Sequence, residues 1–394
     1  MACGYAGDVN ARTPWLDGFA SEAVNFTQAV TPHPLGPQAR AALLTGRLCP
    51  ANGVRSYWDP LPENARTIAH ALADRGYKTG FFGKWHLSDR DRSAAFVGEV
   101  HAREIVPPAR RGGFSFWEGF ESGFLLNNPW LHGTRLPEPT RFRGYQADVL
   151  CERAGRWWQE MTARNIDGSV PVFAMVSLES PHPPYHEPAP HVQEPSRNTL
   201  RLRGNVPLGG EVERRARDEL AGYYAHIEAT DRAIGRLLAE IPLENTIIIL
   251  TSVHGDMHGS HGLFRKAWPY EESVRVPLLI RGLRPENRGR VDTSPVSLVD
   301  LPHMAVSWAE GREWHCKRDH ALISMPAATD IPLQCPHAWR GFRSDQHKVV
   351  LKTESDGSET PWLFFDLRND PLELHNLVNE PARGDELREL MRWL

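Results

Sequence analysis

Lys84, His86, His182 and His254 each stand just past the end of a predicted apolar strand. The carboxyl ends of strands are where open α/β sheets hold their ligands. An ammonium group with imidazoles gathered there could hold an oxyanion and move a proton. Two other stretches concentrate residues of the same kind. One is Thr31 to Arg47, TPHPLGPQARAALLTGR, and the other is Thr251 to Glu272, TSVHGDMHGSHGLFRKAWPYEE.

The elements that must position these groups follow from apolar pattern and punctuation. Asn64 to Thr67 reads as a helix cap, Ile68, Leu72 and Tyr77 mark an apolar side, and Gly76 sits where a left-handed stop belongs. Lys78 to Phe82 then reads as a short strand leading into Lys84 and His86. Helices are expected over 145–162 and 211–241, and buried strands over 170–178, 245–251 and 276–280. Apolar runs alternating with helices imply an α/β fold, a largely parallel central sheet flanked by helices. The tail from Lys348 reads as antiparallel strands and a final helix. The expected division is an α/β domain over 1–339 and a small C-terminal α+β subdomain over 340–394.

Composition excludes several classes. The 394 residues carry a net charge of −4 with no Lys/Arg-rich run, against a nucleic-acid partner or a polybasic membrane anchor. No window approaches the 18 apolar residues of a membrane span. Five cysteines at irregular spacings argue against a disulfide framework. The first residues, MACGYAGDVNARTP, lack the basic and apolar regions of a signal peptide, so the expected compartment is cytoplasmic if Met1 is the true start.

The stretch TPHPLGPQARAALLTGR resembles the sulfatase signature, Cys/Ser-x-Pro-x-Arg followed by a Thr-Gly-Arg step. GFFGKWHL, SPHPPY, HGLFRKAWPYEESVRVPLLIRG and WLFFDLRNDPLELHNL are similar to further segments of that family, in the family's order. The chain is thus identified as a member of the sulfatases, in the alkaline-phosphatase superfamily. The resemblance implies hydrolysis of sulfate monoesters, with phosphonate and phosphate esters as related substrates. It implies a formylglycine nucleophile made from the signature Cys, and calcium held by oxygen-rich ligands. It carries catalytic roles to Arg40, Lys84, His86, His182 and Lys266, and a metal-ligand role to His254. The partner it implies is a small-molecule or glycan sulfate or phosphate ester.

Three parts of that pattern are absent. The nucleophile position holds Gly36, or Leu35 if the match slips by one, and neither can attack or become an aldehyde. Val253 replaces an aspartate and offers calcium no oxygen. The paired aspartates ending the family's first strand have no counterpart. A central gap would leave backbone groups unpaired at about 1–3 kcal/mol each, so the expectation is a late start or a fragment. The cations Arg40, Lys84 and Lys266 with His86, His182 and His254 are then expected to converge without offsetting carboxylates and to bind an anion. No cofactor is expected in the chain as written.

The resulting expectation is a sulfatase-family protein, inactive or impaired. Two alternatives stand beside it: a non-catalytic binder of sulfated or phosphorylated ligands, and a metal-independent hydrolase or transferase with His182 or His254 as base. His182 could instead pack a turn, and Lys84, His86 and Lys266 could be solvated. Asp256, His258 and His261 are read as loop decoration. Cys49, two and a half helical turns past Arg40, points away. His315, Cys316 and His320, with Cys335 and His337, fit no regular zinc module.

Overall fold

The computed structural model describes residues 2–164, 168–314 and 318–394. The chain opens with α1 (Pro14–Ser21), β1 (Val24–Phe26), β2 (Ala29–Val30), α2 (Gly36–Thr45), α3 (Ile68–Ala73) and β3 (Lys78–Lys84). Next come α4 (Glu99–Ala102), β4 (Phe116–Phe120), β5 (Trp130–Gly133), β6 (Thr140–Arg141), α5 (Gln146–Arg164), β7 (Val172–Ser177) and the long α6 (Glu211–Ala239). β8 (Ile248–Thr251), α7 (Glu271–Val274), β9 (Leu278–Arg281), β10 (Val291–Asp292), β11 (Val296–Ser297) and α8 (Leu301–Ala309) follow. The chain ends in β12 (His320–Met325), β13 (Trp339–Ser344), β14 (His347–Thr353), β15 (Glu359–Asp366) and α9 (Gly384–Leu390).

The α/β class is as expected, but the central strands fall into two mixed sheets. One has the order β6-β5-β4-β3-β7, with β3 parallel to both β4 and β7. The other has the order β10-β1-β9-β8, with β9 antiparallel to its neighbours. Side-chain alternation gives both sheets the same helical cover. Val172, Ala174 and Val176 of β7 pack with Trp157 of α5 and Leu237 of α6, while Phe173 and Met175 pack toward Leu72 of α3 and Ala305 of α8. In β8, Ile248 and Leu250 pack with Phe19 of α1 and Leu238 of α6, and Ile249 packs with Trp308 of α8.

β7 and β8 are therefore edge strands between common helical layers. Both line one cavity of about 1730 Å³, whose walls also include Leu16, Ile234, Leu237 and Leu301. The cavity leaves a slot beside these two edges, where their outer amides have no strand partner among the described residues and should exchange with solvent early. Hydrogen–deuterium exchange by mass spectrometry should show 172–177 and 248–251 exchanging ahead of 78–84. Equal protection would mean the slot closes in solution.

Two local features aim the strand ends. Thr67, rather than Asn64, caps α3, its side chain accepting from the Ala69 amide at 3.2 Å. Gly83 has φ +104°, and a Cβ there would stand 2.3 Å from the Ser177 carbonyl oxygen. Only glycine lets β3 run this close to β7 before delivering Lys84.

The C-terminal sheet is antiparallel in the order β12-β13-β14-β15 and begins at His320, upstream of position 340. One face packs Ile323, Trp339, Val350 and Phe365 toward Leu35 and Ala267, and the other packs Phe342, Val349 and Phe364 under Leu387 and Leu390 of α9. Trp339 Nε1 donates to the Ala267 carbonyl at 2.9 Å, tying this sheet to the loop that carries Lys266. Among the described residues no helix is long and apolar enough to cross a membrane.

Candidate active site

The six groups singled out in the sequence meet at one end of the cavity. Arg40, on α2, is buried and donates from Nη1 to the Lys84 carbonyl at 3.0 Å and to Ser177 Oγ at 2.5 Å. Its Nε has no hydrogen-bond partner among the described residues. Burial pulls its pKa down to about 10. The guanidinium thus locks the ends of β3 and β7 together, 44 and 137 residues away in sequence.

Lys84 reaches Glu179 Oε1 at 2.7 Å and lies 3.9 Å from the centre of the Phe124 ring. Glu179 Oε2 accepts from Gln146 Nε2 at 2.9 Å. Burial lowers the Lys84 pKa to about 8, with Glu179 working against it. The expectation of cations without a carboxylate is therefore corrected. Glu179 follows β7 directly, and its buried charge neutralises Lys84. The same position just past a strand end that marked Lys84 would have found it.

Lys266 is buried with Nζ 2.7 Å from His182 Nε2. His182 Nδ1 lies 2.8 Å from the Pro183 carbonyl. The two contacts assign a neutral ring whose Nδ1–H donates to the carbonyl and whose Nε2 accepts from Lys266. That ring stacks on Phe124, centroids 4.4 Å apart, so His182 faces the site instead of only packing its turn. His254 is half-buried on the cavity wall, its Nδ1 3.0 Å from the Gly255 carbonyl and its ring 6.2 Å from that of His182. Burial drives both imidazoles well below their usual pKa, and the Lys266 charge adds to the effect.

His86 Nε2 lies 3.2 Å from Tyr57 Oη, a partner the sequence did not suggest. Its Nδ1 is buried with no hydrogen-bond partner among the described residues. Gly36 opens α2 beside it, and a Cβ at position 36 would stand 2.9 Å from His86 Nδ1 and 3.2 Å from Cε1. A side chain at 36 would therefore require the His86 ring to shift. Gly36 and Val253 both line the cavity.

The loop after β8 divides as follows. The Asp256 carboxylate accepts from Tyr185 Oη at 2.8 Å and from the Arg265 amide at 3.0 Å. Burial would raise its pKa, but His258, Arg265 and Lys266 overcome that and hold it at about 2. His261 stacks on Tyr270. Cys49 is buried, its amide bonded to His33 Nε2, and it does not line the cavity. Of the zinc-capable cluster, His315, Cys316 and Lys317 lie outside the described residues.

The donor set around His254 does not suit calcium, which takes six to eight oxygen ligands. Its neighbours in charge are Lys266 and Arg40, and the nearest carboxylate, Asp256, is already engaged. Among the described residues, the group of side chains close enough to share an ion is His261, Glu272 and Glu373, and His254 is not in it. Glu272 there is paired with Arg203, and Glu373 with Lys348.

Residues 2–311 match the family model described as Sulfatase. The chain belongs to the sulfatase family. The ulvan-active sulfatase of Formosa agariphila is 32% identical over 406 residues, covering 96% of this chain and 75% of its own. A crystal structure from Bacteroides fragilis, yidJ, superposes with a TM-score of 0.84 at 24% identity, covering 100% of this chain and 92% of its own. Phosphonate monoester hydrolase of Agrobacterium radiobacter shares the fold, with a TM-score of 0.71 at 21% identity over 100% of this chain and 92% of that one.

Proposed function

We propose that this sulfatase-family protein holds the oxyanion of a sulfate monoester, or a phosphate-like group, among Arg40, Lys84 and Lys266. We further propose that it is inactive or severely impaired in formylglycine-dependent hydrolysis. The observation that carries the second part is the packing at Gly36. A nucleophile there is missing as a residue type, and a side chain at 36 would press on the His86 ring. Val253 and the engaged Asp256 support the view that calcium has no adequate ligand set in the described residues.

The anion-binding part rests on charge. Arg90 is neutralised by Glu121 at 2.8 Å, and Lys84 by Glu179 at 2.7 Å. Among the described residues Arg40 hydrogen-bonds a carbonyl and a hydroxyl, and Lys266 an imidazole. Two cations held in low dielectric without a directly bonded carboxylate favour an anion between them. The opening of α2 at Gly36 adds its positive helix end to that field.

Isothermal titration with sodium sulfate at low salt, paired with a 4-nitrophenyl sulfate assay, tests the reading. Saturable sulfate binding with no turnover is expected. Turnover above that of an Arg40→Ala variant would overturn the inactive assignment, and no detectable binding would overturn the oxyanion assignment.

A further inference from the structure

The floor of the cavity is cationic, and its solvent-exposed mouth mixes charge, as at Arg197 and Arg203, with apolar side chains. Phe96, Val97 and Leu333 line the cavity and are 36%, 51% and 46% exposed. Large apolar side chains this open to water, set in the wall of a cavity, mark a surface that a ligand covers. A bare oxyanion on the floor would leave them wet.

A continuous path of rings connects mouth and floor. Trp58 and Phe96 stack at 5.8 Å with planes 25° apart, and Tyr57 meets Phe96 edge-on at 5.9 Å. Tyr57 meets His86 at 5.3 Å, and His86 meets Phe124 at 6.2 Å. Phe124 in turn underlies Lys84. Trp58 covers one face of Phe96, which nonetheless stays 36% exposed and lines the cavity.

The platform is held rather than loose. Arg90 is pinned by Glu121, donates to the Tyr57 carbonyl, and lies 5.0 Å from the Tyr57 ring and 5.5 Å from that of Trp58. The preceding turn is closed by Asp59, which accepts from the Arg55 and Ser56 amides at 2.9 and 2.7 Å. Two loops, the one between α2 and α3 and the one between β3 and α4, thus present a fixed aromatic face. A rigid ring face loses little entropy on binding and selects a flat partner.

We infer that Phe96, backed by Trp58, is the binding face for a six-membered ring, sugar or aryl, in the alcohol part of the ester whose oxyanion lies on the cationic floor. This rests on the oxyanion reading above and adds the ligand's organic half to it.

Affinities of the full chain and of Phe96→Ala are measured for four probes: inorganic sulfate, ring-free ethyl sulfate, 4-nitrophenyl sulfate and methyl galactopyranoside 6-sulfate. At least one ring-bearing ester should weaken about tenfold in Phe96→Ala, while inorganic and ethyl sulfate stay within about twofold. The ester that loses more identifies the ring as aryl or pyranose. If neither ring-bearing ester binds more tightly than ethyl sulfate, or if Phe96→Ala weakens all four alike, the inference is wrong. Loss of ring-ester binding in Phe96→Ala without sulfate binding in the parent would support the ring face and sink the floor reading. Binding of none of the four would overturn both.

Discussion

Lys348→Met will destabilise the fold by about 3–5 kcal/mol, the range for removing one partner of a buried ion pair. The Lys348 side chain is fully buried, with Nζ 2.9 Å from Glu271 Oε1 and 2.7 Å from Glu373 Oε1. Glu271 keeps Arg343 at 3.0 Å, but among the described residues Lys348 alone pairs with Glu373. Its other oxygen accepts from the Glu271 amide at 2.7 Å, so it cannot swing out to water without orphaning that donor. The network ties β14 and the segment after β15 to α7, so the cost falls on the docking of the C-terminal sheet.

Titration gives this prediction its sign. Burial pushes the Glu373 carboxyl up to about 7, with Lys348 already working to lower it. A carboxyl raised above its unfolded value near 4.3 binds more protons folded than unfolded between those limits. Its contribution is therefore fully present below about pH 4 and lost as the pH climbs through 7. Without Lys348 the folded value rises further, so the deficit of Lys348→Met should be smaller at pH 5 than at pH 8. Urea denaturation at both values checks it, and adding Glu373→Gln should restore part of the loss at pH 8. A deficit below about 1 kcal/mol, as for a surface change, would mean that the pair is hydrated.

How much of this was legible depends on the range of each interaction. The cap and stop around α3, the apolar alternation of β7 and β8, and the length of α6 are local, and the sequence carries them to within a few residues. Arg40, Lys84, His86, His182, His254 and Lys266 were found because each stands in a motif or at a strand end. Glu179 and Tyr57 were not, although Glu179 has the same strand-end position. What exposes them is contact, Lys84 to Glu179 across 95 residues and Tyr57 to His86 across 29, and no local pattern encodes a partner at that distance. The division of the central strands into two sheets was invisible for the same reason. An apolar run says that a strand is covered on its faces, not which edges it pairs. The Gly36 substitution was plain in the sequence. That a side chain there would press on His86 required the backbone geometry at both places.

Sulfate affinity should fall steeply with alkali, by up to about 100-fold between pH 7 and pH 9 at tenfold per unit for one proton. Lys84, its pKa brought down to about 8, adds to the fall, but the group chiefly responsible is Lys266. Burial lowers its pKa to about 7; Asp256 and Glu179 pull it back up, while Lys84 and Arg265 push it further down. His182 and His254 also face it, but burial keeps both neutral over this range. An ammonium at position 266 is worth having only with an anion beside it, so binding takes up a proton once the free lysine has lost its own. Lys266→Met should remove most of the affinity and flatten the pH dependence below about pH 8, leaving the shallower fall that Lys84 causes as it titrates at about 8. The unliganded protein should move the other way. A lysine depressed from its ordinary value near 10.4 is neutral in the fold and charged in the unfolded chain between about pH 7 and 10, so its contribution to stability grows with pH across that window. Thermal melts at pH 7 and pH 9, with and without sulfate, separate the two effects. The stabilisation by sulfate should shrink at pH 9, while Lys266→Met should reduce the alkaline gain of the free protein to the part that Lys84 supplies. A sulfate shift that is the same at both pH values would place the anion away from Lys266.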